Sequence, residues 1–267
     1  MSRALSSGSN TMPVMVGTAG WSIGAAAADS FPESGTALER YAAVLPVAEI
    51  NSSFHRPHRV STWERWRDSV PDHFRFSVKI PKTVTHERKL ADCDELLERF
   101  LDEVCGLGDK LALLLLQLPP KLEFDGPLVE RFLSRLQIGS AAPVVCEPRH
   151  ASWFEPEAEA ILRDSGVARV AADPARHPGA SSPGGWDGIV YYRLHGSPAI
   201  YRSSYRDRID DYARLLHQQD AANRPVWCIF DNTASSAAIG DALVLQDRLR
   251  ALPEAGTGTQ PAAGALV

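Results

Sequence analysis

Short hydrophobic runs recur along the chain, and amphipathic segments separate them. Each run spans four to eight residues and ends in turn-forming residues, which is typical of strands buried on both faces. Eight strands are predicted, at residues 14–18, 47–51, 74–80, 111–118, 144–147, 168–173, 189–196 and 226–232. Strands that alternate with helices pair in parallel through right-handed crossovers, so the pattern predicts a parallel sheet.

The segments between the runs have a helical period. Thr36-x-x-Glu39 and Ser61-x-x-Glu64 each predict a capping box, in which two side chains bond to the free amides of a first helical turn. The segment 174–188 is rich in Pro, Gly and Ser, so we expect a loop without a regular helix there. Eight strand–helix units predict an α/β fold, a (β/α)8 TIM-type barrel of eight parallel strands in a single domain. An open doubly wound sheet is the alternative.

The barrel domain is predicted at residues 13–251, since neither an internal repeat nor a linker interrupts the alternation. Residues 1–12 lack the hydrophobic stretch of a secretory signal, and we interpret them as a flexible arm. Residues 252–267 are rich in Ala, Gly and Pro, which predicts a disordered tail.

Composition narrows the class of protein. Hydrophobic residues make up 44% of the 267 residues, and the formal net charge of −5 argues against a protein that coats nucleic acid. No hydrophobic run approaches the roughly 20 residues of a membrane span, so we expect no membrane partner. The four cysteines form no C-x-x-C pair, which predicts free thiols in a reducing compartment and hence a cytoplasmic protein.

Polar side chains gather where the predicted strands end, and in a barrel the functional site lies at the carboxyl ends of the strands. Arg193 and His195 alternate in YYRLHGSP, so both side chains face the same way. Glu49 and Asn51 alternate likewise on the second strand. Seven strand-end side chains are therefore expected to converge on one cavity: Glu49, Asn51, Lys79, Glu147, Arg193, His195 and Asn232.

Seven motifs lie at or beside these strand ends, between about residues 14 and 249: GTAGW, EINSSF, FRFSVKIPKTVTHE, QLPP, EPRHASWF, YYRLHG and FDN. In their order and spacing the chain resembles the YecE-like family, a domain of unknown function. The resemblance implies a TIM-type barrel and no particular reaction. The chain has His55 where many members have Tyr, and Asp231 where many have Asn; these positions alter ligand choice or mark a subgroup.

The strand-end residues predict an enzyme for a small anionic compound, phosphorylated or polyhydroxy, that works by hydrolysis or proton transfer. We expect Glu49 or Glu147 to move a proton, with His195 or His86 as partner. The binding candidates are Lys79, Arg149 and Arg193 for the anion, Asn51, Gln117 and Asn232 for hydroxyl or carbonyl groups, and Trp21 and Tyr205 for the pocket walls.

Other interpretations stay open. The carboxylates of Glu49 and Glu147 can pair with neighbouring cations for structural reasons alone, because burying an isolated ion costs several kcal/mol or more. A desolvated Lys79 can form a Schiff base. The protein can also bind or sense an anion without turnover.

A metal-dependent phosphodiester or nucleic-acid enzyme is a further alternative. Its metal ligands would be Glu49, Glu147, His195 and Asp231. We predict no metal, since the neighbouring lysine and arginines would repel a cation. We also predict no cofactor, because no G-x-G-x-x-G follows the first strand.

Arg193 distinguishes the anion clamp from structural pairing. A clamp would lie among other cations without a full set of protein partners, so Arg193→Met would leave the stability unchanged or raise it. If Arg193 instead pairs with a buried carboxylate, its loss would cost about 3–5 kcal/mol.

Overall fold

The structure, a computed structural model, describes residues 14–220 and 224–253. A ten-stranded sheet forms its centre and curves into a nearly closed barrel. The strands are β1 (Met15–Ala19), β2 (Val47–Ile50), β3 (Arg75–Lys79), β4 (Leu111–Gln117), β5 (Val144–Glu147), β6 (Ala168–Arg169), β7 (Ala171–Asp173), β8 (Gly184–Gly185), β9 (Val190–Leu194) and β10 (Val226–Phe230). The arm predicted at residues 1–12 lies outside the described residues, as does the predicted tail beyond residue 253.

The order of the strands is that of a TIM-type barrel. Strands β1 to β6 pair in parallel in chain order. On its other edge β1 pairs with β10, β10 with β9, and β9 with β7. Only Val170 separates β6 from β7, so the sheet returns to itself through one interrupted strand.

The predicted count of eight strands needs a correction. The sixth predicted strand is split because its first half pairs with β5 and its second half with β9. In addition, β8 pairs antiparallel with β6 inside the expected loop 174–188. That loop also contains a 3₁₀ turn at Pro178–Ser181, and the guanidinium of Arg169 donates to two of its backbone carbonyls. Hydrogen bonds from the barrel wall therefore order a segment whose composition predicts a loop.

Helices surround the sheet. The α-helices are α1 (Ala37–Ala42), α2 (Ser52–His55), α3 (Val60–Asp68), α4 (Asp94–Val104), α5 (Gly126–Gly139), α6 (Pro156–Asp164), α7 (Ile209–Asp220) and α8 (Ala237–Ala251). Further 3₁₀ turns lie at Ala25–Ser30, Cys105–Lys110, Ala151–Phe154 and Arg206–Arg208, and a π-helical turn lies at Thr83–Glu87. The capping box of Thr36 and Glu39 is confirmed. The one predicted at Ser61 is wrong, because α3 begins a residue earlier and Ser61 lies within its first turn.

Hydrophobic residues form two cores, one on each side of the barrel wall. The larger lies between sheet and helices and includes Trp63, Phe76 and Leu116. The smaller fills the barrel interior near the amino ends of the strands and includes Val47 and Trp227. Side chains alternate between the two faces of a strand. Residues that lie an even number of positions after an inner-core residue therefore also point into the barrel, nearer its mouth.

Two predictions from composition concern the whole molecule. The four cysteines are free thiols, and three of them are buried. Their compartment stays a prediction. Among the helices within residues 14–220 and 224–253, none has the length and hydrophobicity needed to cross a membrane.

Gly17 tests the pairing of β1 with β2. A Cβ at this position would overlap the carbonyl oxygen of Val47, so a side chain must push the two strands apart. We expect Gly17→Ala to lower the free energy of unfolding by about 3 kcal/mol or more, measured by urea denaturation. In α8, a Cβ on Gly240 would meet nothing within 4 Å. Gly240→Ala is therefore the control, with an expected gain of up to about 1 kcal/mol. Equal stabilities of the two variants would contradict this register.

Candidate functional site

Acidic and basic side chains form one layer at the carboxyl ends of the strands. Glu49 comes from β2, Glu147 from β5 and Arg193 from β9, while Asp231 follows β10 directly. Each is an even number of residues from an inner-core residue of its strand, so each side chain points into the barrel. The four side chains are buried, and Glu49 and Arg193 have no exposed surface. We call these four residues the ionic layer.

The guanidinium of Arg193 is the centre of the ionic layer. Its Nε and Nη2 lie 2.9 and 2.6 Å from the two carboxylate oxygens of Glu49, a bidentate pair. Its Nη1 donates to Glu147 at 2.5 Å, and Nη2 also donates to Asp231 at 3.0 Å. Burial opposes the charge, but the three carboxylates outweigh it and hold the pKa of Arg193 well above its ordinary value. The expectation of an anion clamp without protein partners is therefore corrected for Arg193.

Two hydroxyl groups adjoin the ionic layer on the side of the inner core. The hydroxyl of Tyr191 donates to Glu49 at 2.9 Å and lies 3.0 Å from the hydroxyl of Ser77. Burial, and then the charge of Glu49, raise the pKa of Tyr191 well above its usual range, so it stays a donor. Sequence reasoning missed this contact. The signal was present, because Tyr191 precedes Arg193 by two residues and shares its face.

His195 lies between two carboxylates. Its Nδ1 is 2.9 Å from Asp231 and its Nε2 is 3.2 Å from Glu147. Carboxylates only accept, so both ring nitrogens must carry protons for both hydrogen bonds to form. Burial disfavours the imidazolium, but the two carboxylates outweigh it and raise the pKa of His195. The geometry and the direction of this shift both indicate a charged ring.

Both carboxylate oxygens of Glu147 accept hydrogen bonds. Gln117 Nε2 lies 3.1 Å from both of its oxygens, and Arg149 donates through Nε and Nη2 at 3.1 and 3.0 Å. Burial alone would raise the pKa of Glu147, but Arg193 and His195 hold it well below its usual range. An ionised, saturated carboxylate is a weak proton acceptor, so the geometry favours a positioning role for Glu147 over the predicted proton transfer.

Lys79, at the end of β3, is the exception in this group. The residue has a relative exposure of only 8%, yet its ammonium makes no hydrogen bond or ion pair with any residue in the described ranges. Nζ instead lies 4.0 Å from the ring centroid of Phe54. Burial, and then the charge of Arg193, lower the pKa of Lys79 to about 8, although the carboxylates of the ionic layer oppose this shift.

His86 contacts the same aromatic ring of Phe54. Its ring centroid is 5.0 Å from that of Phe54, and its Nδ1 is 2.9 Å from the hydroxyl of Thr85. It lies on the π-helical turn, a distortion often found at functional sites. Burial, and then the charges of Lys79 and Arg149, lower the pKa of His86 to about 4. Its ring is therefore neutral at physiological pH.

Asn51 also joins the group, whereas Asn232 does not. Asn51 donates to Asp231 at 3.4 Å, and its own side-chain oxygen is buried without a partner within residues 14–220 and 224–253. Asn232 donates instead to the backbone of Ser203 and to Asp241 of α8, at 2.9 and 2.7 Å. Asp231 takes the inward register, so the next residue must face the helices, and the predicted convergence of Asn232 is corrected.

The two aromatic candidates lie outside the barrel interior. Trp21 packs against Trp66 and Phe76 in the outer core. Tyr205 packs against Phe230 on the same side of the wall and bonds to backbone groups there. These contacts therefore do not place either residue in the wall of a pocket at the barrel mouth. The ammonium of Lys79 contacts the ring of Phe54.

A narrow cleft of about 20 Å³ opens above His195 and Glu147, with Arg149, Arg176 and Tyr201 among its other walls. A volume of this size holds about one water molecule. Sequence reasoning missed Arg176 and Tyr201, because both lie on loops whose course depends on tertiary packing. A larger cleft, about 530 Å³, lies at the amino ends of the strands and includes no residue of the ionic layer.

No metal-binding arrangement is found among the described residues, in which no three His, Cys, Asp or Glu side chains are placed to hold an ion together. The guanidinium of Arg193 occupies the space between the carboxylates that would otherwise be the ligands.

The family model described as "Protein of unknown function DUF72" matches residues 15–264. The chain belongs to the DUF72 family. This confirms the resemblance inferred from the strand-end motifs. Two curated relatives are the UPF0759 protein YecE of Escherichia coli (strain K12), 34% identical over 144 residues, and the UPF0759 protein YunF of Bacillus subtilis (strain 168), 29% identical over 126 residues.

The alignments with these relatives are partial. They cover 52% of this chain and 52% of YecE, and 45% of this chain and 44% of YunF. The chain thus spans about half the length of the curated relatives it matches. The names of these relatives assign no activity.

Solved structures of DUF72 proteins share the fold over nearly the whole chain. A DUF72 protein of Enterococcus faecalis V583 has a TM-score of 0.73 at 19% identity and covers 93% of this chain and 100% of its own. One from Thermotoga maritima MSB8 has a TM-score of 0.70 at 23% identity, with coverage of 90% and 100%. These comparisons support the single barrel and do not address its chemistry.

We predict that Arg193→Met strongly destabilises this DUF72 protein. Removing the guanidinium leaves Glu49 and Glu147 buried without their main counter-charge, which costs about 3–5 kcal/mol. Urea denaturation measures the loss, and Arg131→Met on the exposed side of α5 is the control, expected within about 0.5 kcal/mol of wild type. An Arg193→Met protein as stable as wild type would restore the anion clamp.

We also predict that His195 makes the stability depend on pH. Its folded pKa is raised, so its stabilisation is complete below the unfolded value near 6.5 and is lost as the pH rises through the folded pKa. The destabilisation by His195→Gln should therefore be larger at pH 6 than at pH 9, where the carboxylates remain ionised throughout. The exposed His55 provides the control, His55→Gln. A destabilisation that is constant over this range would show that the ring is neutral in the folded protein.

Proposed function

We propose that this DUF72 protein is an enzyme that binds a small anionic compound at the barrel mouth and transfers a proton to or from it. The observation that carries the proposal is the ammonium of Lys79, which belongs to a buried residue beside the ionic layer and has no hydrogen bond or ion pair with the described residues. Near it, burial and neighbouring charges move pKa values in different directions, lower for Lys79 and His86 and higher for His195. Such separation is a common property of catalytic sites.

The charge balance at the mouth supports an anionic ligand. The ionic layer has three carboxylates, and Arg193, Arg149 and protonated His195 supply three cations that bond to them. Lys79 is then the additional positive charge of this group. A cation in a buried mouth attracts an anion more strongly than one in bulk water, because the surroundings screen it less.

Lys79 has the properties of the proton-transfer group. A pKa of about 8 keeps both its ammonium and its amine accessible near neutral pH. The neutral ring of His86, which also contacts Phe54, can accept a hydrogen bond from the bound compound or donate one to it. In this proposal Glu49, Glu147 and Arg193 act as positioning residues, since their polar atoms bond to one another.

A metabolite screen tests the proposal. The protein is incubated with a pool of phosphate esters and small carboxylic acids, and consumption of each compound is followed by mass spectrometry. We expect one compound to be consumed by wild type, and Lys79→Met to slow its consumption by about 10²–10⁴-fold. Lys121→Met, at an exposed lysine, should behave as wild type.

Two results would contradict the proposal. If Lys79→Met turns the compound over at the wild-type rate, Lys79 is not the proton-transfer group. If an anion raises the melting temperature but no compound in the pool is consumed, the protein is a binding or sensing protein, which was the alternative from the sequence.

A further inference from the structure

We propose that Lys79 is a nucleophile that forms an imine with its substrate, and that the substrate is a small aldehyde or ketone carrying a carboxylate or phosphate group. This inference rests on the proposed function, because it uses the same barrel mouth. It adds the covalent step and the class of substrate.

The ammonium of Lys79 is free although three carboxylates lie close by. Those carboxylates already accept hydrogen bonds from Arg193 and His195, from Arg149 and from Gln117. An ion pair would hold the ammonium protonated and occupy its donors. Nothing among the described residues does so for Lys79, whose Nζ faces the ring of Phe54 at 4.0 Å. The ionic layer therefore leaves one amine available for reaction.

Two features that activate an amine are present together. Burial disfavours the ammonium, and the nearby guanidinium of Arg193 disfavours it further. Desolvation and an adjacent cation are the two means by which proteins produce imine-forming lysines. The groups that act on Lys79 are Arg193, Glu49, Glu147 and Asp231, with His86 and Arg149 at the rim. Their balance places its pKa at about 8.

The reaction balances without an oxidant or reductant. The neutral amine of Lys79 adds to the carbonyl carbon and a C–N bond forms. The nitrogen then loses one proton and the carbonyl oxygen gains one, which gives a neutral carbinolamine. A second proton converts that hydroxyl to water, the C–O bond breaks, and the nitrogen lone pair completes the C=N bond of an iminium ion. The neutral ring of His86, which contacts the same Phe54 ring as Lys79, is the proposed relay for these protons.

An iminium ion also explains why the site would transfer a proton. It withdraws electrons from the neighbouring carbon and so makes a C–H bond there acidic. The acidic group of the substrate has cations to bind it at the entrance of the cleft beside Glu147 and His195, which Arg149 and Arg176 line. The cleft itself, at about 20 Å³, has room for about one water molecule. Arg149 bonds to Glu147 through Nε and Nη2, so its Nη1 is left for an anion.

Reductive trapping tests the imine. The full-length protein is treated at pH 7.5 with glyoxylate, pyruvate or glyceraldehyde 3-phosphate, each with sodium cyanoborohydride, which reduces an iminium ion to a stable secondary amine. Peptide mapping then locates the adduct. We expect Lys79 to be labelled at least about tenfold more than Lys82 or Lys121, because a larger fraction of it is neutral at this pH. Lys79→Arg should lose this label, and Lys121→Arg should keep it.

Two outcomes overturn the inference: equal labelling of all lysines, or no label on Lys79 with any of the three compounds. Wild-type labelling alone decides this, so a poorly folded variant does not obscure the answer. The metabolite screen separates the two proposals. Turnover that depends on Lys79 without an adduct would reject the imine and keep the proton transfer, whereas the absence of both would reject both.

Discussion

One buried cation, the guanidinium of Arg193, connects three carboxylates that come from different parts of the barrel. Glu49, Glu147 and Asp231 belong to strands or strand ends that are far apart in the chain, and each bonds to Arg193 directly. Burying four charges is tolerable only when they satisfy one another. The same bonds occupy the carboxylates, so the ammonium of Lys79 is left without an ion pair among the residues that the structure describes. The stability of the barrel mouth and the reactivity of Lys79 thus have a common physical origin.

Much of the fold could be predicted from the sequence because strand alternation is a local property. Runs such as VVCE or FRFSVKI show the strands directly, and their alternation with helices predicts the parallel barrel. The break at Val170 could not be predicted, since it arises where one strand changes neighbours. Likewise Ser61 has the residue pattern of a helix cap, but packing starts α3 one residue earlier.

The candidate site could be predicted only for residues that lie in, or directly after, a strand of regular alternation. Period-two alternation correctly brought Arg193, His195 and Glu49 to one face, because each lies within or directly after a regular strand. Asn232 failed because a shift of one residue at a strand end reverses the face. Which carboxylate Arg193 bonds to depends on distances across the barrel, which no local pattern contains. For the same reason the free ammonium of Lys79 emerged only from the structure.

The proposed chemistry depends most on Lys79, a buried residue whose ammonium lies near a guanidinium and has no ion pair with the described residues. Its pKa can be measured directly by NMR, with lysines labelled by ¹³C at Cε and the Lys79 signal assigned by its loss in Lys79→Arg. The account predicts that this signal titrates with a pKa of about 8. A midpoint near the ordinary lysine value of about 10.4 would contradict it, because Lys79 would then be a solvated or ion-paired side chain.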